Sequence, residues 1–352
     1  MRKLIGLVLF IVVLFSSIWV FNSIKKVETQ KRKNTVQSYN PQKISPSENY
    51  IVVPYWTFPK DEVGTGYNTF LYFGIAANKS GIDENDSGFK NLRNFTTFVN
   101  GKNAYLVVRM LGSSENLDIL KDKKTQEKII SDSVKIAKEN NFSGIVLDLE
   151  TQGLPFDNLM QKITAFNSDF RKKSHDNNLT FGTFIYGDVF YRVRPYDVEN
   201  ISKVVDRVYV MTYDFSKAKG DPGPNFPLDG KEVYGYDFKT MVSDFLKVVP
   251  SEKLTFIFGM FGYDWTVDEK GRAIGIAESK STLGFEKFMT DCVDKNSCEV
   301  VTSKSYGAKI TYKKDDENHQ VWFETYASEK EKEAYLSSQD LRSIGFWAYS
   351  FF

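Results

Sequence analysis

The residues best suited to chemistry stand in one short run, GIVLDLE, from Gly144 to Glu150. Its apolar, β-branched character predicts a strand, and the side chains of a strand alternate between two faces. Ile145, Leu147 and Leu149 then share one face, while Gly144, Val146, Asp148 and Glu150 share the other. Two carboxyls on one face have Cα atoms about 7 Å apart. Withdrawn from water at that spacing they push each other's pKa apart, so one can keep a proton at neutral pH and serve as a general acid. An Asp-x-Glu at an exposed strand end that caps the next helix is the other reading, and this run alone leaves both open. Composition narrows the remaining chemistries. The 352 residues contain only two histidines, His175 and His319, so a three-His zinc centre is excluded and a Ser-His-Asp triad would have to use one of the two. Cys292 and Cys298, the only cysteines, lie in the polar run DCVDKNSC. Two sulfurs with no clustered histidine leave a metal shell half empty, so no metal and no cofactor are expected. A small disulfide ring formed outside the cytoplasm is the preferred pairing, with two unrelated thiols as the alternative.

The elements that must position these groups follow from the hydrophobic pattern. Strand-length runs rich in aromatic and β-branched residues begin at Ile51, Thr69, Ala104, Gly144, Leu179, Arg207, Leu254 and Ile344, with helical patterns from Thr125, Phe156, Tyr236 and Ser328 between them. This alternation predicts an α/β fold, a (β/α)8 TIM barrel over 50–352, in preference to a doubly wound sheet, since no GxGxxG follows an early strand. Functional side chains of such a barrel come from the C-terminal ends of strands, where Asp148 and Glu150 fall. The interval between the seventh and eighth strands is about twice the others, and within it KITYKKDDENHQVWFE alternates around DDEN. A small insertion containing a β-hairpin is therefore expected at about 266–325. Phe352 directly follows the eighth strand, so something other than a last outer helix is expected to cover that flank.

Ahead of the barrel, Leu4 to Phe21 carries no charge and follows Arg2 and Lys3, which predicts a membrane anchor or signal segment over 1–24. A polar linker is expected over 25–49. Lys25, Lys26, Lys31, Arg32 and Lys33 lie beyond the apolar segment and conflict with an outward orientation. The cysteine pair favours one nevertheless, and an extracytoplasmic domain is expected, anchored to the cell membrane or secreted if the segment is cleaved. The first 33 residues hold seven bases and one acid, leaving 39 bases against 44 acids in the rest, a balance that argues against nucleic acid as a partner. A monomer is expected.

Three runs on different strands carry a family resemblance. FSGIVLDLE is similar, at Gly144, Asp148 and Glu150, to the DGxDxDxE signature of glycoside hydrolase family 18, the chitinase-like barrels. VMTYD, Val210 to Asp214, resembles the MTYD motif of that family, and GFWAY, Gly345 to Tyr349, resembles its Trp-bearing last strand. DPGPNFPL, FGYDW and HQVWFE add similarity to the bacterial branch that includes spore-cortex and cell-wall lytic members, and the resemblance covers roughly residues 50 to 352. It implies Glu150 as general acid, Asp148 as the residue that orients the substrate's acetamido group, and that group's own carbonyl as the nucleophile. It further implies that Tyr213 donates to this carbonyl, that Asp214 helps hold the acetamido end and that Trp347 forms an apolar floor. Aromatics available to line sugar subsites are Tyr55, Trp56, Phe73, Tyr186, Tyr263 and Trp265, and Arg109 at the end of the third strand is a cleft residue without an assigned role. Ser143 and Val146 replace the first two acids of the signature, a change expected to reduce turnover or move its pH optimum. The function implied is hydrolysis of β-1,4 linkages at N-acetylglucosamine in peptidoglycan or chitin-like glycans, by substrate-assisted retaining catalysis. A carbohydrate-binding envelope protein with weak or no turnover is the alternative.

Overall fold

The apolar runs form eight parallel strands: Glu48–Pro54, Thr69–Asn78, Ala104–Met110, Gly144–Leu149, Thr180–Tyr186, Arg207–Thr212, Leu254–Gly259 and Ser343–Trp347, hydrogen-bonded in that order. The first strand pairs with both the second and the eighth, Tyr50 lying opposite Thr69 and Ile51 opposite Phe346, so the sheet closes into the expected barrel. The structure is a computed structural model that describes residues 48–57, 66–152 and 158–352. The anchor expected over 1–24 and the linker up to residue 47 lie outside the described residues, among which no helix is long and apolar enough to cross a membrane.

Strand alternation separates two apolar layers. Ile145, Leu147 and Leu149 face outward and join the core formed with helix residues such as Ile129, Ile163 and Phe166. Val146, Val52, Leu71, Val107, Tyr209 and Ile257 fill the barrel interior. Glycine makes room for these large interior groups: a Cβ on Gly182 would come within 2.6 Å of the Tyr209 ring, and one on Gly345 within 2.5 Å of Ile257 Cδ1. The surrounding helices form for local reasons. In Lys123–Glu139, Asp122 accepts from the Lys124 amide at the start, and Ile129, Ile130, Val134 and Ala137 make one buried face against the barrel.

The segment after the seventh strand departs most from expectation. DDEN does turn a hairpin: Lys314 pairs with Glu317, and Asp315 and Asp316 take positive φ angles of 50° and 65°. That hairpin, however, supplies two strands of a five-stranded antiparallel sheet ordered Glu278–Ser281, Phe261–Val267, Glu317–Phe323, Gly307–Lys314, Cys298–Ser303. The sheet starts at Phe261, almost directly after the barrel strand, and helix Thr282–Asp294 covers one face around Phe285, Ile310, Val321 and Phe323. Cys292 and Cys298 are bonded, with Cα atoms 5.6 Å apart. The bond joins the last turn of this helix to the edge strand rather than bracing a free loop. Near the end of the chain, Phe352 packs against Phe346 and Tyr67, so aromatic side chains cover the flank there.

Because so short a ring removes little chain entropy, replacing Cys292 and Cys298 together with alanine is expected to lower stability by about 2 kcal/mol or less. Denaturant unfolding of the variant beside the wild type measures this, and a loss of twice that size would mean that the bond organises the whole insertion.

Candidate active site

The site is built from the strand ends upward. Asp148 is the fifth residue of the fourth strand and is 3% exposed, while Glu150 lies one residue beyond the strand and is partly buried. The backbone around Glu150 is held from three sides. Its amide donates to the Met110 carbonyl at 2.8 Å. The Asn116 side-chain amide donates to the carbonyls of Met110 and Glu150, at 2.6 and 2.7 Å. The Tyr196 hydroxyl donates to the Leu149 carbonyl at 2.6 Å and accepts from the Thr151 amide at 2.9 Å.

Neighbouring strands bring their last residues to the same place. Tyr186, at the end of the fifth strand, donates to Glu150 Oε2 at 2.9 Å. The Arg194 guanidinium lies 3.6 Å from the centroid of the Tyr186 ring and is held by the buried Asp188 carboxylate, which also binds Arg192. Tyr213 and Asp214 follow the sixth strand. Asp214 adopts a φ of 58°, with its amide donating to Asn225 Oδ1 at 2.8 Å and its carboxylate accepting from the Tyr263 hydroxyl at 2.7 Å. Tyr263 comes from the insertion, whose first strand thereby completes the wall of the barrel mouth. Trp347, last in the eighth strand, meets Phe73 edge-on at 4.7 Å between ring centroids and lies 6.2 Å from Tyr213 and 6.4 Å from Trp56. Tyr55 packs edge-on against Trp56 at 4.8 Å and carries the Arg109 guanidinium over its ring at 4.7 Å.

Burial moves the titration of these groups upward. Asp148 is pushed well above the usual carboxylate range, first by burial and then by the Glu150 charge, with Arg109 in partial opposition. Glu150 is raised by burial, drawn back by the Tyr186 hydrogen bond, and raised further by the Asp214 charge. Asp214 is raised by burial against the Tyr263 hydrogen bond, and burial drives the Tyr213 phenol far up, so it keeps its proton. Neither the Asp148 carboxyl nor the Tyr213 hydroxyl has a hydrogen-bond partner among the described residues. The arrangement offers a carboxyl poised to give up a proton, a carboxyl and a phenol free to bind a polar group, and an indole face beside them.

A model of the glycosyl hydrolases family 18 matches residues 26–351. The chain belongs to that family. It is 23% identical over 239 residues to a cortical fragment-lytic enzyme of Bacillus subtilis, covering 65% of this chain and 51% of that protein. It is 31% identical over 163 residues to chitinase C of Streptomyces lividans, covering 44% of this chain and 26% of that protein. The chain thus spans about half or less of the length of these curated relatives. A family 18 chitinase from Cycas revoluta, solved in complex with (GlcNAc)3, superposes with a TM-score of 0.72 at 17% identity, over 87% of this chain and 96% of that one.

In this family-18 barrel, Asp148, Glu150, Tyr186, Tyr213, Asp214, Tyr263 and Trp347 come together at one mouth, and Tyr55 joins through Trp56 and Arg109. Trp265 does not join them: it is 1% exposed and packs behind Tyr263 in the insertion. Both histidines lie elsewhere, His175 on Asp206 and His319 on Asp264. Among the described residues no cluster of three metal-ligating side chains occurs. Asn116, Asp188, Arg194, Tyr196, Lys217 and Asn225 escaped the sequence reading, because each acts across a loop whose course no spacing announces. Val146 lies in the interior cluster on the Asp148 face, as alternation requires, so an apolar group stands where the family signature has an acid.

Removing the hydroxyl that favours the ionised form of Glu150 raises its pKa. Tyr186→Phe is therefore expected to move the basic limb of the pH–rate profile upward. A limb that stays put or moves down would mean that this hydrogen bond does not act on the proton donor.

Proposed function

We propose that the protein hydrolyses β-1,4 linkages at N-acetylglucosamine with net retention, using the substrate's own acetamido group. The single observation that carries this reading is the Asp148–Glu150 pair, raised in pKa by burial, beside the Tyr213 phenol, whose hydroxyl has no hydrogen-bond partner among the described residues. Protonated Glu150 gives its proton to the glycosidic oxygen as the bond from C1 breaks. The acetamido carbonyl oxygen forms the new bond to C1, and the leaving sugar departs with the proton. Asp148 accepts from the acetamido N–H, Tyr213 donates to its carbonyl oxygen, Asp214 holds the same end and Trp347 supports the ring. Water then attacks C1 while the Glu150 carboxylate takes a proton from it, which reopens the cyclic intermediate and restores the acid.

Peptidoglycan is the target we favour over chitin. The charge-free segment Leu4–Phe21 and the Cys292–Cys298 disulfide support an extracytoplasmic domain anchored to the membrane, where a cell-wall glycan is within reach. Similarity to a cortical fragment-lytic enzyme points the same way. A protein that only bound carbohydrate would have no use for a proton donor held above its ordinary pKa, and this favours turnover.

Glu150→Gln keeps the shape of the side chain and removes its proton. It is expected to cut the release of new reducing ends from chitin oligosaccharides and purified peptidoglycan by about 10²–10⁴ while leaving glycan affinity in place. A variant that keeps more than about a tenth of wild-type activity would remove Glu150 from the acid's role. A thiazoline analogue of the cyclised acetamido intermediate should inhibit the wild type competitively, and its failure to bind would point away from substrate assistance.

A further inference from the structure

The wall beside Glu150 carries more positive charge than its own acids balance. Arg192 and Arg194 both bind Asp188, so the single carboxylate at that point is fully engaged by two guanidiniums. Lys217, three residues past Asp214, brings a third cation to the same place. Its ammonium stands 5.8 Å from the centroid of the Tyr186 ring, whose hydroxyl holds Glu150. The side chain is partly buried and makes no ion pair or hydrogen bond among the described residues. Burial and the two arginines lower its pKa, so the site bears a real expense in keeping a cation there. Its remaining carboxyl neighbours, Asp214 and Glu150, are both raised in pKa and are poor counterions. A partly desolvated ammonium without a partner is stabilised when a ligand supplies an anion.

We propose that Lys217, backed by Arg194, is a specificity-determining residue that binds a carboxylate on the sugar beside the cleaved N-acetylglucosamine linkage. This rests on the hydrolase reading above and deepens it. A chitin chain is neutral and offers Lys217 nothing. A glycan in which N-acetylglucosamine alternates with an N-acetylmuramyl sugar carries the required group, either on the lactyl ether or on a peptide attached to it. The lysine thereby separates two glycans that share the linkage and the acetamido group, by rewarding the charge that only one of them has.

The test compares kcat/KM of the wild type, Lys217→Met and Lys217→Arg on three substrates of equal length: chitin oligosaccharides, peptide-free N-acetylglucosaminyl–N-acetylmuramyl oligosaccharides, and the same glycan bearing peptides. Lys217→Met should lower the ratio of anionic to neutral kcat/KM about tenfold, mainly through KM, with Lys217→Arg retaining it. The wild-type preference should also shrink as salt rises, and that salt dependence should vanish in Lys217→Met. A fall on the peptide-free glycan identifies the lactyl carboxylate, and a fall confined to the peptide-bearing glycan identifies the peptide's. An unchanged ratio, including equal losses on all three substrates, overturns the proposal, because an effect exerted through Glu150 alone would not distinguish them. The same comparison by calorimetry in a Glu150→Gln background keeps the two readings apart. If the wild type cleaves no glycan, the hydrolase reading fails, while the affinity ratio still decides the role of Lys217.

Discussion

Two carboxyls taken out of water at one strand end are the constraint around which this molecule is arranged. Asp148 is nearly inaccessible and Glu150 follows two residues later on the same face, so each opposes the ionisation of the other. Ionising both in so dry a place is unfavourable, so the pKa of each is raised and each holds a proton more firmly than a free carboxyl would. The surroundings then decide how tightly. Arg109 eases the charge on Asp148 from the adjacent strand, and the Tyr186 hydroxyl eases it on Glu150. Val146, below the pair, contributes no further charge where the family signature has an acid.

A proton held by environment is useful only if the carboxyl is aimed, and the barrel supplies the aim. Asn116 and Tyr196 fasten the backbone on both sides of Glu150, from the short helix Ser113–Ile119 after the third strand and from the loop after the fifth. Asn225 does the same for Asp214 and also reaches the Gly259 carbonyl at 2.9 Å, which ties the sixth strand's exit to the end of the seventh. The insertion contributes Tyr263, which binds Asp214, and is itself tied back to the barrel by Thr282, whose amide donates to the Met260 carbonyl at 2.9 Å. Several strand ends thus deliver side chains to one place, and residues distant in sequence converge because the sheet is closed.

Period-two alternation explains what could be read before the fold was known. Each barrel strand is apolar on both faces, so its length and phase stand out, and the phase from Gly144 to Glu150 puts Val146, Asp148 and Glu150 inward without reference to any other strand. The insertion was legible from the long interval before the last strand and from the hairpin at DDEN, where two consecutive aspartates can take left-handed backbone. Its edge strands, ESKS at Glu278–Ser281 and CEVVTS at Cys298–Ser303, are short and mostly exposed, and no hydrophobic period marks them. Trp265 misled for the converse reason, since alternation puts it on the same face as Tyr263 but cannot show that other residues bury it. The Asp188–Arg194 pair and Lys217 belong to loops, where charge type is visible and direction is not.

The pair's role is tested most directly by its own titration, followed by carbon NMR of protein labelled at the aspartate and glutamate carboxyls. Asp148→Asn and Glu150→Gln spectra would supply the assignments. Two coupled transitions are expected for Asp148 and Glu150, both above the ordinary values of about 3.9 and 4.3, with each midpoint moving down when the other carboxyl is replaced. Two independent transitions at those ordinary values would contradict that role, for the pair would then be ionised at neutral pH and Glu150 would have no proton to give.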